Sequence, residues 1–451
     1  MPPPPALPVC LLLLLLAVPR PAEAAEAAAV TRPLLFALRA RQVPGGALPR
    51  PPSKLRFHHN VSLTVSLAVG TPPQNVTMVL DTGSELSWLL CNGTYAPSPT
   101  LAPPLPLAFN SSGSSSYGAV PCPSPACERR GRDLPVPPSC DMPPSNACRV
   151  SLSYADASSA EGVLAADTFL LGGAPPVGAY FGCITSYSST TATNSNATDT
   201  SEAATGLLGM NRGTLSFVTQ TGTRRFAYCI APGEVPGVLL LGDDGGVAPP
   251  LNYTPLIEIS QPLPYFDRVA YSVQLEGIRV GFALLPIPKS VLTPDHTGAG
   301  QTMVDSGTQF TFLLADAYSA LKAEFLKQTK PWLPALNDPN FAFQEAFDTC
   351  FRVPQGRTPP ARLPAVTLLF NGAHMTVAGD RLLYKVPGER RGGDGVWCLT
   401  FGNADMVPIT AYVIGHHHQL NVWVEYDLER GRVGLAPIRC DVASERLGLM
   451  L

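Results

Sequence analysis

Short runs along this 451-residue chain place apolar side chains at every second position. Val61, Leu63, Val65, Leu67 and Val69 alternate with polar or small residues, the period of a half-buried strand. Gly70-Thr71-Pro72-Pro73-Gln74 turns the chain, and Val76 to Leu80 makes a second strand with Asp81 at its end, so the two predict a hairpin. Val150 to Tyr154 alternates again, Ala155 to Ser159 turns, and Gly162 to Leu171 runs back. A second hairpin is therefore expected with Tyr154 near its tip. Helical spacing is rare: Tyr318, Leu321 and Phe325 predict one amphipathic helix over Ala315 to Gln328. Residues 96–125 and 185–205 read as polar loops, and the Gly, Asp and Pro-rich stretch 242–262 is the best boundary between two halves.

Composition agrees with a mainly β chain. Hydrophobic residues make up 45% and charged residues only 14%, beside 39 glycines and 49 prolines, which suits short strands joined by turns rather than long exposed helices. That apolar content also excludes a wholly disordered chain. The formal charge of −3 gives no reason to expect a nucleic-acid partner. Residues 1–24 read as a cleaved signal peptide: six leucines, Leu11 to Leu16, are too few to span a bilayer, and Ala22-Glu23-Ala24 is a small-x-small cleavage pattern. Met1 to Val9 lacks the usual Lys or Arg. Residues 25–59 are Ala/Pro-rich and basic, either an unstructured leader or a short prosegment lying over an acidic cleft.

Other signs fit a secretory route, with release to the cell exterior or vacuole and no stable membrane anchor. Asn-x-Ser/Thr acceptors occur at Asn60, Asn75, Asn92, Asn110, Asn196 and Asn252. Removal of Cys10 with the signal leaves an even set of cysteines, which predicts five disulfides in an oxidising compartment. No Cys-x-x-Cys pair occurs, and His416-His417-His418 in a strand would point to alternate faces, so neither a metal nor another cofactor is expected.

The chemistry lies in a repeat. Asp81-Thr82-Gly83-Ser84 and Asp305-Ser306-Gly307-Thr308 each follow an apolar run, one in each half of the chain. Leu207-Leu208-Gly209 and Val413-Ile414-Gly415 follow them at similar distances. One such element is ordinary turn material, but two in matching context imply two similar lobes delivering one carboxylate each to a shared site. Two close carboxylates share a proton and titrate as a unit. The ionised member can deprotonate a water while the protonated one polarises a carbonyl, which is general acid-base hydrolysis of an amide. The glycines allow close backbone approach, and Ser84 and Thr308 offer hydroxyls to orient the carboxylates.

In these elements the chain resembles pepsin-type aspartic endopeptidases over roughly residues 60–440. The cysteine-dense stretch, Phe181-Gly182-Cys183 and Asn421 to Leu428 narrow the likeness to the atypical, nepenthesin-like plant subgroup. The resemblance implies a bilobal β fold with an N-terminal lobe over 60–250, a C-terminal lobe over 263–440 and a tail over 441–451. It implies Asp81 and Asp305 as the dyad, Thr82 and Ser306 interlocking the loops, Tyr154 as the flap tyrosine, and Trp88 as its hydrogen-bond partner. It also implies the pairs Cys91–Cys183, Cys122–Cys148, Cys127–Cys140, Cys229–Cys440 and Cys350–Cys398. Its substrates would be extended polypeptides and the protein a monomer. Ala155 and Ala157 stand where the family often has flap glycines, which stiffens that hairpin. The alternative is a catalytically silent binding protein of the same fold, as plant xylanase inhibitors are, although such proteins typically lose part of the site.

Overall fold

The computed structural model describes residues 33–42, 61–92, 108–156, 158–188, 204–243, 246–360, 362–407 and 409–450. The signal peptide, Asn60, Asn196, Ala157 and most of the leader lie outside them. Described strands of the N-terminal half are β1 (Leu34–Gln42), β2 (Val61–Val69), β3 (Gln74–Asp81), β4 (Trp88–Asn92), β5 (Cys148–Ser153), β6 (Ser159–Leu170), β7 (Val177–Ser188) and β8 (Gly206–Gly209). Strands β9 (Arg225–Cys229) and β10 (Gly237–Leu241) follow, beside two-residue strands at Phe109–Asn110, Gly118–Ala119 and Ser139–Cys140. The C-terminal half contributes β11 (Thr302–Val304), β12 (Thr311–Leu313), helix α1 (Ala315–Thr329), β13 (Tyr412–Ile414), β14 (Val422–Asp427) and β15 (Arg432–Pro437).

The first hairpin forms as the alternation requires. Val69 pairs with Gln74 and Thr64 with Val79, and Leu63, Val65, Leu67, Val76, Met78 and Leu80 enter the core. Strand β8 then inserts parallel to β3, Gly209 opposite Asp81, while running antiparallel to β4. The same figure recurs in the other half: β13 runs parallel to β11, Ile414 opposite Val304, and antiparallel to β12. Each apolar-apolar-Gly segment is thus the strand that wedges between the two arms of its Asp loop. The repeat seen in sequence is a repeat in space.

Two boundaries differ from the sequence reading. Part of the basic leader, β1, is built into the fold: Leu34 to Leu38 pair with β10 and Arg39 to Gln42 pair with β2. Its backbone donors and acceptors complete ladders on both sides, and Leu38 is 2% exposed, so this stretch is a sheet strand rather than a loose leader. The break at 242–262 does not separate the sheets either. Strand β14 of the later half pairs with β9 of the earlier one, so both halves share a sheet ordered β15-β14-β9-β10-β1. The tail begins in a helix, Cys440–Arg446, tied to β9 by Cys229–Cys440.

Five disulfides close. Cys91–Cys183 joins β4 to its parallel neighbour β7, and Cys350–Cys398 joins residues directly opposite in an antiparallel ladder. The expected pairs Cys122–Cys148 and Cys127–Cys140 are corrected to Cys122–Cys140 and Cys127–Cys148. Cys122, Cys127, on a short helical turn over Pro125–Glu128, and Cys148 share one small apolar cluster, and the exposed Cys140 closes on Cys122. The sulfurs of Cys122 and Cys127 are 3.5 Å apart, so in a stretch this crowded spacing along the chain carries no pairing information. Among the acceptor asparagines, Asn75, Asn110 and Asn252 are exposed. The Asn110 side-chain oxygen is occupied, accepting from Gly113 N–H and the Ser112 hydroxyl.

Candidate active site

Asp81 and Asp305 leave the ends of β3 and β11 and are 7% and 9% exposed. The loops are locked to each other by reciprocal bonds. Thr82 N–H donates to Ser306 Oγ at 3.0 Å, and Ser306 N–H donates to Thr82 Oγ1 at 2.9 Å. The Ser306 hydroxyl in turn donates to the Leu80 carbonyl at 3.0 Å, and that of Thr82 to the Val304 carbonyl at 3.4 Å. A threonine facing a serine satisfies every donor, so the joint between halves is buried without orphaned polar groups.

Each carboxylate is held from its own loop. Gly83 N–H donates to Asp81 Oδ1 at 2.8 Å and Gly307 N–H to Asp305 Oδ1 at 2.9 Å. Ser84 Oγ donates to Asp81 Oδ2, and Thr308 Oγ1 to Asp305 Oδ2 at 2.5 Å. Glycine is needed at 83 and 307 because of the opposite loop. A Cβ on Gly307 would lie 2.2 Å from Asp81 Oδ1, and one on Gly83 would lie 2.9 Å from Asp305 Oδ1. Burial, with the facing Asp305 charge adding, pushes the Asp81 carboxyl well above the ordinary carboxylate range. Its own hydrogen bonds to Ser84 and Gly83 only partly offset this.

Tyr154 stands just past the end of β5, at the turn into β6, and its hydroxyl accepts the Trp88 indole N–H at 2.6 Å. Burial raises the phenol, and the Asp81 charge adds to the rise. Trp88 also packs on Tyr187, ring centroids 5.4 Å apart. The turn is pinned by Asp156, whose Oδ1 accepts Ser158 N–H and hydroxyl at 2.9 and 2.6 Å.

Some residues of the site escaped the sequence reading. Gln419 Nε2 donates to the Ile414 carbonyl at 2.7 Å and the Asp305 carbonyl at 3.2 Å, and its side-chain oxygen accepts from Tyr228. Tyr228 meets Tyr426, whose hydroxyl donates to the Val304 carbonyl at 3.3 Å. Glu85, next to Ser84, turns inward and its Oε1 accepts Leu215 N–H at 2.7 Å. Burial pushes Glu85 up to about 7 despite that bond, with Asp133 and Asp267 adding. In sequence Glu85 lies between Ser84 and Leu86 and gives no local signal of its burial. The three histidines form a 3-10 turn, not a strand, and reach different partners: His416 the Val61 carbonyl, His417 the Arg381 carbonyl, His418 two threonines.

Two family models match, described as Xylanase inhibitor N-terminal over residues 63–243 and Xylanase inhibitor C-terminal over residues 270–437. The chain is 54% identical over 406 residues to Aspartic proteinase PCS1 of Arabidopsis thaliana, covering 89% of this chain and 86% of that protein. The chain belongs to the aspartic protease family. It is an aspartic-type endopeptidase, with relatives among plant enzymes. Aspartic proteinase nepenthesin-2 of Nepenthes gracilis is 30% identical over 380 residues, 83% of this protease and 77% of that one. Of solved structures, edgp superposes with a TM-score of 0.61 at 18% identity, over 92% of this chain and 97% of that chain. Basic 7S globulin from soybean gives 0.58 at 19%, over 89% and 96%. These two share the fold. Among the described residues of the protease no helix is long and apolar enough to cross a membrane.

Proposed function

We propose that Asp81 and Asp305 are the catalytic dyad of this endopeptidase, holding one shared proton and the attacking water. One carboxylate takes the water's proton as its oxygen attacks the scissile carbonyl, the other carboxyl donates to the carbonyl oxygen, and the amine leaves after receiving a proton. The observation that carries this reading is mutual approach: each carboxylate occupies the space that a side chain on the opposite loop's glycine would need. Tyr154 closes over an extended polypeptide and excludes water, its hydroxyl fixed by Trp88. The protein acts as a monomer released into the secretory pathway after signal removal, with glycans on exposed acceptor asparagines.

The test is cleavage of a denatured protein across pH 2 to 7. Asp81→Asn and Asp305→Asn are each expected to lower the rate by at least about a hundredfold. Equal rates in wild type and variants would overturn the assignment. The inhibitor-like alternative draws on the names of the matching family models, and an intact dyad speaks against it. Soluble wild-type protein that cleaves nothing but binds a xylanase tightly would favour it.

A further inference from the structure

His418 is 0% exposed and both ring nitrogens are engaged. Nε2 lies 2.7 Å from Thr400 Oγ1 and Nδ1 lies 2.6 Å from Thr311 Oγ1. Each threonine hydroxyl has one proton to give. Thr400 Oγ1 sits 2.9 Å from the Arg381 carbonyl and 3.2 Å from that of Leu382, so it donates there and accepts from His418 Nε2–H. Thr311 Oγ1 already accepts Gly415 N–H at 3.2 Å, so its proton goes to His418 Nδ1. One proton arrangement satisfies the chain from Gly415 through Thr311, His418 and Thr400 to the Arg381 carbonyl, and it requires a neutral ring with the proton on Nε2. A second proton on Nδ1 would face the Thr311 hydroxyl and leave that hydroxyl's own proton without its acceptor.

This chain ends against the dyad. Gly415 follows Ile414, whose carbonyl accepts Asp305 N–H at 3.1 Å. Gln419, next to His418, grips the carbonyls of Ile414 and Asp305. The segment on which the Asp305 loop rests is therefore held at Gly415 by Thr311 and His418, and at Ile414 by Gln419. In the N-terminal half Gly209 N–H donates to Ser87 Oγ at 3.0 Å and Met210 N–H to the Asp81 carbonyl at 2.8 Å, and no histidine stands behind Ser87 among the described residues.

We propose that neutral His418 is a positioning residue for Asp305, and that its protonation releases the C-terminal half of the dyad and sets the acid limit of the protease. The proposal rests on Asp305 acting as a member of the dyad. The groups facing His418 oppose a second proton. His417 and His416 lie on its own turn, Arg381 comes from the neighbouring turn, and the other described neighbours are the Thr311 and Thr400 hydroxyls and the Phe401 ring, 4.3 Å away. Asp380 lies toward His417 and favours its charged form. Burial first, then the neighbouring His417, Arg381 and His416, hold His418 well below the usual histidine range. The network thus stays intact at mildly acid pH and fails as pH falls further.

Three variants of the full chain separate positioning from packing. In His418→Asn the amide oxygen takes the place of Nδ1 and still accepts from Thr311, without titrating. In His418→Gln the amide reaches toward Thr400 but leaves Thr311 unpaired, and Thr311→Val removes the hydroxyl. Rates are measured on a quenched fluorescent peptide from pH 3 to 7, with active sites counted by a statine-type inhibitor. We expect wild-type kcat to fall on the acid side at nearly constant KM. His418→Asn should lose that fall while staying within about threefold of wild type at pH 6, whereas His418→Gln and Thr311→Val lose at least about tenfold in kcat there. Independently of activity, nitrogen-15 NMR should show one histidine as the neutral Nε2–H tautomer down to pH 5, absent from His418→Asn. An acid limb in His418→Asn that superimposes on wild type would overturn the proposal. So would unchanged kcat per active site in both His418→Gln and Thr311→Val, or an Nδ1–H tautomer. A correct tautomer in a protein whose Asp305→Asn variant retains full activity would refute the dyad reading, and only through it the positioning role.

Discussion

The loops that carry Asp81 and Asp305 match residue by residue for four positions and then part. Thr82 faces Ser306, Gly83 corresponds to Gly307, and Ser84 to Thr308, with equivalent hydrogen bonds to each carboxylate. Ser87 and Thr311, six residues past each Asp, both accept the N–H of the following segment's glycine. The position between differs: Glu85 is an acid where Gln309 is an amide, and both are buried. Behind Thr311 stands the histidine turn, whereas Ser87 meets a strand, its carbonyl accepting Gly182 N–H. What has to meet across the joint is alike in the two halves. What supports each loop from behind is chemically opposite, an acid on one side and bases on the other.

The largest effect is expected where the halves touch. Gly307→Ala drives a Cβ to 2.2 Å from Asp81, and Gly83→Ala to 2.9 Å from Asp305. Both should be severe, Gly307→Ala the worse, with kcat down about a hundredfold or more as the carboxylates are forced apart. The joint would be more forgiving than the geometry requires if Gly83→Ala proved the more damaging, or if both stayed within a fewfold of wild type.

The next effect concerns the opposite supports and has opposite signs in pH. Glu85 rises to about 7 in the folded chain from its usual 4.5, so its stabilisation is complete below pH 4.5 and is lost as pH rises through 7. Glu85→Gln should remove a loss of about 3 kcal/mol between those limits, seen as a flatter urea-unfolding stability from pH 4.5 to 7.5. His417 falls to about 4 from 6.5, so its stabilisation is complete above pH 6.5 and is lost as pH falls toward 4. His417→Gln should flatten that acid side by about 2 kcal/mol, a smaller figure because the ring is only partly buried. Together the two supports centre the stable range between about pH 5 and 6.5. Parallel stability curves for wild type and both variants would mean that neither support titrates with folding.

The matching positions were legible because short-range chemistry encodes them: alternation gives the strands, and Asp-x-Gly after an apolar run gives the loop. The opposing supports were not. Glu85 reads as any polar residue after a turn until Leu215, far along the chain, offers its N–H. His416 to His418 looked like alternating strand positions, and the 3-10 turn follows from the N–H groups of Gly415, His416 and His417 bonding back to the Thr308 to Thr311 segment while His418 N–H bonds the Gly415 carbonyl. The Leu34–Gln42 strand hid in a basic, Pro-rich stretch because its ladders come from Gly237 to Leu241 and Val61 to Thr64. The swapped disulfide pair lies within one crowded stretch, where the Cys122 and Cys127 sulfurs are 3.5 Å apart and spacing does not choose between them. For the other features the deciding partner is distant in sequence, and one chain read alone carries no record of it.

The smallest effect tests the aromatic that follows each loop. Seven residues past Asp81 stands Trp88, and seven past Asp305 stands Phe312, 0% exposed and packed against Phe347. The two fill the same place in their halves, yet only Trp88 has an N–H, and it reaches the Tyr154 hydroxyl at 2.6 Å. Trp88→Phe makes the N-terminal half like its counterpart and leaves Tyr154 without this donor. A hydrogen bond of this kind contributes about 1 kcal/mol, so kcat/KM should fall about fivefold. Tyr154→Phe should give a similar loss, and the double variant little more than either alone, because both changes remove one bond. Additive losses would mean that Trp88 acts through its packing on Tyr187, and the difference between the halves would then be one of shape rather than of hydrogen bonding.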